Sequence, residues 1–303
     1  MIKKRKEIII TSPSRLHLGF YGFDDRYGYK YGSMGLAINA HKTIISVKHS
    51  QNVVSDLPKK YILPLIKYLK LKRAKSNFEI KTLQKSPSHI GLGSGTQLSL
   101  SIGMAVSKLF NLNLEANDIA NIYNRGKRSG TGISIFKQGG FVVDACKKDR
   151  LLPRDMFKSK FPKDWRIILL NDIKLKGTSG KRENKFFSKS SRTNHKQSEL
   201  SHILFRGILP SIVYEDFQGF SKNLTEFQRN TAEFYREKQK GIFLSPEISK
   251  IMEYVKNYDN LGMGQSSWGP MSYIFVKSKL HAKELLSIIQ NKFNVYNNVQ
   301  LNI

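Results

Sequence analysis

Cysteine is almost absent: Cys146 is the single one in 303 residues. One thiol can form neither an intrachain disulfide framework nor a cysteine metal cluster, which fits a reducing cytoplasm. No activating base stands beside Cys146, so it reads as a small core residue rather than a nucleophile. Acidic residues are scarce as well: 23 Asp plus Glu stand against 51 Lys plus Arg, a net charge of +28. Such an excess builds a positive field that draws polyanions, whether nucleic acid, anionic lipid or a phosphorylated metabolite. Drift toward lysine would give the same excess, because the charge is scattered rather than gathered in one motif. No RNP, zinc-finger or helix-turn-helix signature accompanies it, which leaves nucleic acid the weaker reading. Long hydrophobic runs are missing too. In the N-terminal MIKKRKEIII the basic start is followed by only three apolar residues, short of a signal-peptide core. The uncharged stretch Ser88–Ser107 is full of Gly and Ser and does not read as a membrane span.

What is present suffices for folded domains. Hydrophobic residues make up 40% and aromatics 11%, enough for real cores, and the length suits two domains. Strands are expected at Glu7–Ser12, Leu36–Val47, Phe78–Thr82, Phe141–Ala145, Trp165–Leu170, Met271–Lys277 and Val295–Ile303. Pro13–Gly22 reads as turn-rich. Helices are expected at Pro58–Leu71, in the segment after Gln97 (Leu98, Ile102, Ala105 and Leu109 recur at helical spacing), at about Glu115–Asn124 and at Ala282–Asn291. Ser245-Pro246-Glu247 is an N-cap signal with proline at the first helical position, ahead of Ile248, Ile251, Met252 and Val255 on one face. Mixed strands and helices without a strict βαβ rhythm predict an α+β fold, divided into 1–164 and 165–303. Residues 174–196 carry eight basic residues and one acid, Glu183. They read either as a solvated linker or as a basic lid over an anionic substrate.

Four segments carry chemistry. In Gly91-Leu-Gly-Ser-Gly-Thr-Gln97, glycines permit positive φ and close approach, Ser94 and Thr96 bring hydroxyls, and a helix start supplies free N–H groups. The spacing is neither a P-loop nor G-x-G-x-x-G, and a tight turn before a buried helix would use the same residues. Gly262-Met-Gly-Gln-Ser-Ser-Trp-Gly-Pro270 predicts an ordered loop, or a hairpin-like turn, carrying Gly264, Gln265, Ser266 and Ser267. Arg125-Gly-Lys-Arg-Ser-Gly-Thr-Gly132 sets two arginines and a lysine beside the small residues Ser129, Gly130 and Thr131. Its arginines suit bidentate contact with phosphate or carboxylate, or the end of their own helix. Ser12-Pro-Ser-Arg-Leu-His-Leu-Gly19 carries Arg15 and His17; the imidazole serves either the core or acid–base work.

Together these segments resemble the GHMP superfamily of galactokinase, homoserine kinase, mevalonate kinase and phosphomevalonate kinase. The second family motif, P-x-x-x-G-L-G-S-S, is matched by Pro87–Gly95 with Gly95 in place of the last serine. The first motif corresponds to Pro13–Gly19 and the third to Gly262–Ser267. Within the superfamily, Gly91–Gln97, Arg128–Gly132, Gly177-Thr-Ser-Gly180 and Gly262–Pro270 resemble the β-ribofuranosylaminobenzene 5′-phosphate synthases. The resemblance implies a two-domain GHMP-kinase-like fold: an N-terminal domain like ribosomal protein S5 domain 2 and a ferredoxin-like C-terminal domain. It implies condensation of 4-aminobenzoate, or a related benzoate, with phosphoribosyl pyrophosphate, releasing CO2 and pyrophosphate. It further implies Mg²⁺, with Ser94 as a candidate contact, and a homodimer. Gly91–Gln97 would bind phosphate, Arg125 and Arg128 would supply cations, and Arg15 or His17 would meet the benzoate carboxylate. An ATP-dependent small-molecule kinase of the same fold is the alternative. It is disfavoured because the Asp of the kinases' Ser-Gly-x-Asp segment is replaced by Gly132, which removes an obvious base.

Overall fold

The computed structural model describes residues 7–23, 27–72, 77–177, 196–239, 241–258, 260–293 and 299–302. Most of the basic segment 174–196, and all but Gly177 of Gly177–Gly180, lie outside the described residues.

The first sheet is built on a long antiparallel pair, β1 (Glu7–Phe20) and β2 (Ser33–His49). The strand does not stop at Ser12 as expected. It runs through Pro13 and Gly19, and the pairing register shifts at both places. Each shift absorbs a misfit: proline has no N–H to give the ladder, and Gly19 sits at φ +117°. Arg15 and His17 are therefore strand residues. β4 (Phe78–Gln84) pairs with the far half of β2, and β5 (Phe141–Asp144) with its near half. β3 (Val54–Ser55) lies parallel beside β4, and β6 (Asp155–Ser159) edges β5.

Helix α2 (Ser94–Phe110) lies across this sheet, and α1 (Lys59–Leu71) and α3 (Ala116–Ile122) pack against α2. Leu98, Ile102, Ala105 and Leu109 are buried as their spacing predicts, against Ile45, Val47, Ile80 and Ile119. α2 ends at Asn111 in the left-handed conformation, which asparagine tolerates. A fourth helix, α4 (Thr131–Gln138), stands where only a turn was expected. Its eight residues include β-branched Thr131, Ile133 and Ile135, a poor local helix signal; burial of those same residues holds it in place.

The second sheet has the strand order β10 (Val299–Asn302), β7 (Arg166–Asp172), β9 (Met271–Val276), β8 (Gly262–Gln265), all neighbours antiparallel. This is the ferredoxin-like order. Between β7 and β8 lie α5 (Lys196–Ile203), a π-helical turn Leu204–Ile208, α6 (Leu209–Val213), α7 (Phe217–Gln239) and α8 (Pro246–Val255). Helix α9 (Lys279–Phe293) links β9 to β10. The α8 cap is the expected one: Ile248 N–H donates to Ser245 Oγ at 3.2 Å. Ser245 Oγ–H in turn donates to Asp172 at 2.6 Å. No element had been expected in α5–α7, although Phe217, Phe220, Leu224 and Phe227 repeat at helical spacing and are all buried.

One apolar cluster joins the two sheets. Leu16, Leu18 and Phe20 of β1 pack in it with Trp165, Leu204, Phe220, Phe227 and Phe275. The rings of Trp165 and Phe220 lie 5.0 Å apart. The two sheets therefore meet across an apolar core, and the glycine-rich and basic motifs lie at its edge.

Candidate active site

Three of the four sequence segments are tied together by one hydroxyl. His17 N–H donates to Ser266 Oγ at 2.9 Å, and Ser266 Oγ–H donates to Gly91 O at 2.7 Å. Arg15 N–H donates to Leu92 O at 3.1 Å. The glycines of the loop mark how tightly these segments meet. At Gly91 (φ +101°) a Cβ would sit 2.5 Å from Ser266 O, and at Gly93 (φ +66°) 2.8 Å from Arg15 Nε. Neither space nor backbone conformation admits a side chain at either place.

Gly93 caps α2. Thr96 N–H and Gln97 N–H close onto Gly93 O, so the N–H groups of Ser94 and Gly95 precede the first helical hydrogen bond. The start of α4 lies against the same turn. Gln97 Nε2 donates to Gly132 O at 2.8 Å, and a Cβ on Gly132 would be 3.2 Å from Thr96 Cγ2. The Arg125 guanidinium lies along Gly95 and donates to Ser99 Oγ at 3.1 Å.

These residues border a cavity of about 360 Å³ lined by Arg15, His17, Phe20, Thr96, Asn124, Arg125, Gly126, Lys127, Arg128, Ser129, Gly132 and Ser267. Four cations line it, with Thr96 from the first turn of α2 and Gly132 from the first turn of α4, and no carboxylate is among its described lining residues. The arrangement is a cradle for a multiply charged anion. His17 and Phe20 form a wall, with ring centroids 4.6 Å apart. Burial, with Arg15 and Arg128 adding to it, holds the His17 pKa well below its ordinary value. Its Nδ1 accepts Gly19 N–H at 3.2 Å, which leaves the proton on Nε2. That N–H is buried without a partner. His17 thus enters the site as a neutral donor, and Arg15 is the cation of the first motif.

The expected site residues divide into those that face the cavity and those that shape it. Arg15, His17, Thr96, Arg125, Arg128, Ser129 and Ser267 line it. Leu92 and Gln97 are buried in support, and Ser266 is the buried latch. Gly262, Gly264 and Gln265 are corrected from loop to strand β8. Gly264 is packed so closely that a Cβ would come within 2.5 Å of Gln228 Cγ and of Tyr273 Oη, and Gln265 bonds Leu244 N–H and Ser267 O. Ser94 does not line the cavity. Among the described residues no group of three or more His, Cys, Asp or Glu could hold a metal ion, so the lining offers no carboxylate seat for Mg²⁺. Lys127, noted beside the arginines of Arg125–Gly132 but given no role, also lines the cavity, as do Phe20 and Asn124, which the sequence did not mark; Phe20 is placed only by folding.

Comparison with known proteins gives the family. The GHMP kinases N-terminal domain model matches residues 59–140, and the GHMP kinases C-terminal model matches 208–295. A β-ribofuranosylphenol 5′-phosphate synthase of Methanocaldococcus jannaschii is 30% identical over 323 residues, covering 96% of each chain. One from Archaeoglobus fulgidus is 31% identical over 289 residues, 89% of this chain and 88% of the relative. This chain belongs to their family, within the GHMP superfamily. As a GHMP protein it has the expected α+β architecture: a Streptococcus pneumoniae phosphomevalonate kinase superposes with a TM-score of 0.71 over 99% of both chains at 12% identity, which shows the fold alone. No helix among the described residues is long and apolar enough to cross a membrane.

Proposed function

We propose that this enzyme joins a para-substituted benzoate to phosphoribosyl pyrophosphate, with loss of CO2 and pyrophosphate. The observation that carries the reading is the cavity lining: four cations beside the first turns of α2 and α4, without a carboxylate among the described lining residues. In the reaction the ring carbon bearing the carboxylate bonds to C1 of the ribose as the C1–pyrophosphate bond breaks. The bond to the carboxylate then breaks, CO2 leaves, and its electron pair restores the aromatic ring. Pyrophosphate departure gathers negative charge, which Arg125, Lys127, Arg128 and the helix N–H groups are preorganised to meet. Arg15 takes the benzoate carboxylate, and His17 Nε2–H gives a neutral donor beside the Phe20 ring. The relatives are named for a phenol, which favours 4-hydroxybenzoate over the 4-aminobenzoate suggested by the resemblance. A kinase that uses an aspartate at position 132 as its base is disfavoured, because Gly132 stands there, packed against Thr96.

The test is release of labelled CO2 from carboxyl-labelled 4-hydroxybenzoate or 4-aminobenzoate with phosphoribosyl pyrophosphate and Mg²⁺. Release requiring both substrates and abolished by Arg128→Ala is the expected result. No release from either acid, with ATP consumed in the presence of a metabolite, overturns it in favour of a kinase.

A further inference from the structure

A buried carboxylate lies behind the cavity and takes no part in the chemistry just described. Asp144 ends β5 at 1% exposure. Its Oδ1 accepts Ser33 N–H at 2.8 Å, and its Oδ2 accepts Gly130 N–H at 2.8 Å and Ser33 Oγ–H at 2.6 Å. Ser33 has one hydroxyl proton. With that proton on the carboxylate, Ser33 Oγ accepts from Ser129 at 2.7 Å, and Ser129 Oγ accepts from Thr131 at 2.8 Å. From the other side Pro153 closes on the same turn: a Cβ on Gly130 would lie 2.7 Å from Pro153 O.

We propose that Asp144 is a positioning residue: its ionised carboxylate fixes the turn Ser129-Gly130-Thr131, and through it holds Arg125, Lys127 and Arg128 at the cavity. The inference rests on the anion-site reading given above. Desolvating a carboxylate is costly unless every lone pair finds a donor, and here the donors come from β2, from the cavity turn itself and from the Cys146 backbone N–H. The titratable groups facing it are the Tyr21 phenol, which donates to Asp144 O at 2.6 Å, and the Cys146 thiol. Burial pushes both upward, so they stay neutral. Burial likewise pushes Asp144 up to about 6, against the bonds from Ser33 and Gly130. Below that pH the protonated acid must donate to Ser33. The hydroxyl chain then reverses, and the Thr131 hydroxyl, fully buried, loses its acceptor.

Asp144→Asn preserves shape but brings amide protons against these donors. The experiment combines calorimetric binding of magnesium pyrophosphate, substrate KM values, and hydrogen exchange of the peptide spanning 124–133. We expect pyrophosphate affinity to fall about tenfold, the scale of losing a group behind the contacting residues. The KM for phosphoribosyl pyrophosphate should rise in parallel, with the KM for the benzoate unchanged and exchange accelerated in 124–133 alone. Wild-type affinity should also fall more steeply than the variant's as pH drops through about 6. A folded Asp144→Asn protein with wild-type exchange and affinity overturns the proposal. If that variant does not fold, Ser33→Ala, which keeps both backbone bonds, takes its place in the same three measurements, and wild-type values there overturn the proposal equally. Wild-type protein that binds no pyrophosphate would sink the proposed reaction, while the exchange rates would still decide the role of Asp144.

Discussion

At the scale of single residues, the site depends on side chains that are missing. Gly93 is the clearest case, since both its φ and the Arg15 guanidinium exclude a Cβ. Gly93→Ala should displace Arg15, raise the benzoate KM about tenfold or more, and cost about 1–2 kcal/mol for a left-handed alanine. Steady-state kinetics and thermal melting check both. His17 makes a prediction of definite sign. Its folded pKa is lowered by burial, so its contribution to stability is present above the unfolded value of about 6.5 and is lost as pH falls toward the folded pKa. Asp144, raised to about 6, acts oppositely: its contribution is present at acid pH and lost as pH rises through about 6. Urea unfolding of wild type against His17→Asn separates the two; only wild type should carry the His17 component. Much of this chemistry was legible in the sequence, because Arg15, His17, Arg125 and Arg128 stand in motifs whose composition announces anion binding. Asp144 was not, since an acid closing an apolar strand looks like any strand end until Ser33 and Gly130 are brought to it.

At the scale of elements, local signals succeeded where caps and periodicity agreed. The buried faces of α2 and α8 followed from their apolar spacing, and the start of α8 from Ser245-Pro246, whereas α2 begins at Ser94, ahead of the expected start after Gln97. They failed where tertiary pairing decided. Gly262-Met-Gly-Gln265 has none of the β-branched residues that mark a strand, yet pairing with β9 makes it one, and its glycines let α7 pack close. Ser245 offers the test of an element boundary. Ser245→Ala removes both the α8 cap and the partner of buried Asp172. It should cost about 1–3 kcal/mol and lower the melting temperature by several degrees. Activity should be retained at lower temperature, because Ser245 does not line the cavity.

At the scale of the whole molecule, the charge of +28 acts through its field. If the partner is a small polyanion, the KM for phosphoribosyl pyrophosphate should rise with salt, since the Debye length shrinks from about 10 Å at 0.1 M to about 3 Å at 1 M. The benzoate, with a single charge, should respond less. A protein built for nucleic acid would instead show a steep, linear loss of log affinity for DNA or RNA with log salt. The two-sheet architecture was legible through the family motifs, but the continuous core from Leu16 to Phe275 was not, because its partners are distant in the chain.

That distance matters while the chain is being made. His17 waits for Ser266, 249 residues downstream. At about 5–20 residues per second, some ten to fifty seconds of synthesis separate the two. Throughout that time the first motif, joined by the second once Gly91 is made, is on the nascent chain without its latch. A ribosome stalled before codon 266 would therefore carry a first sheet whose Leu16, Leu18 and Phe20 still lack Phe275 to pack against, and the cavity would be completed only at the end of synthesis.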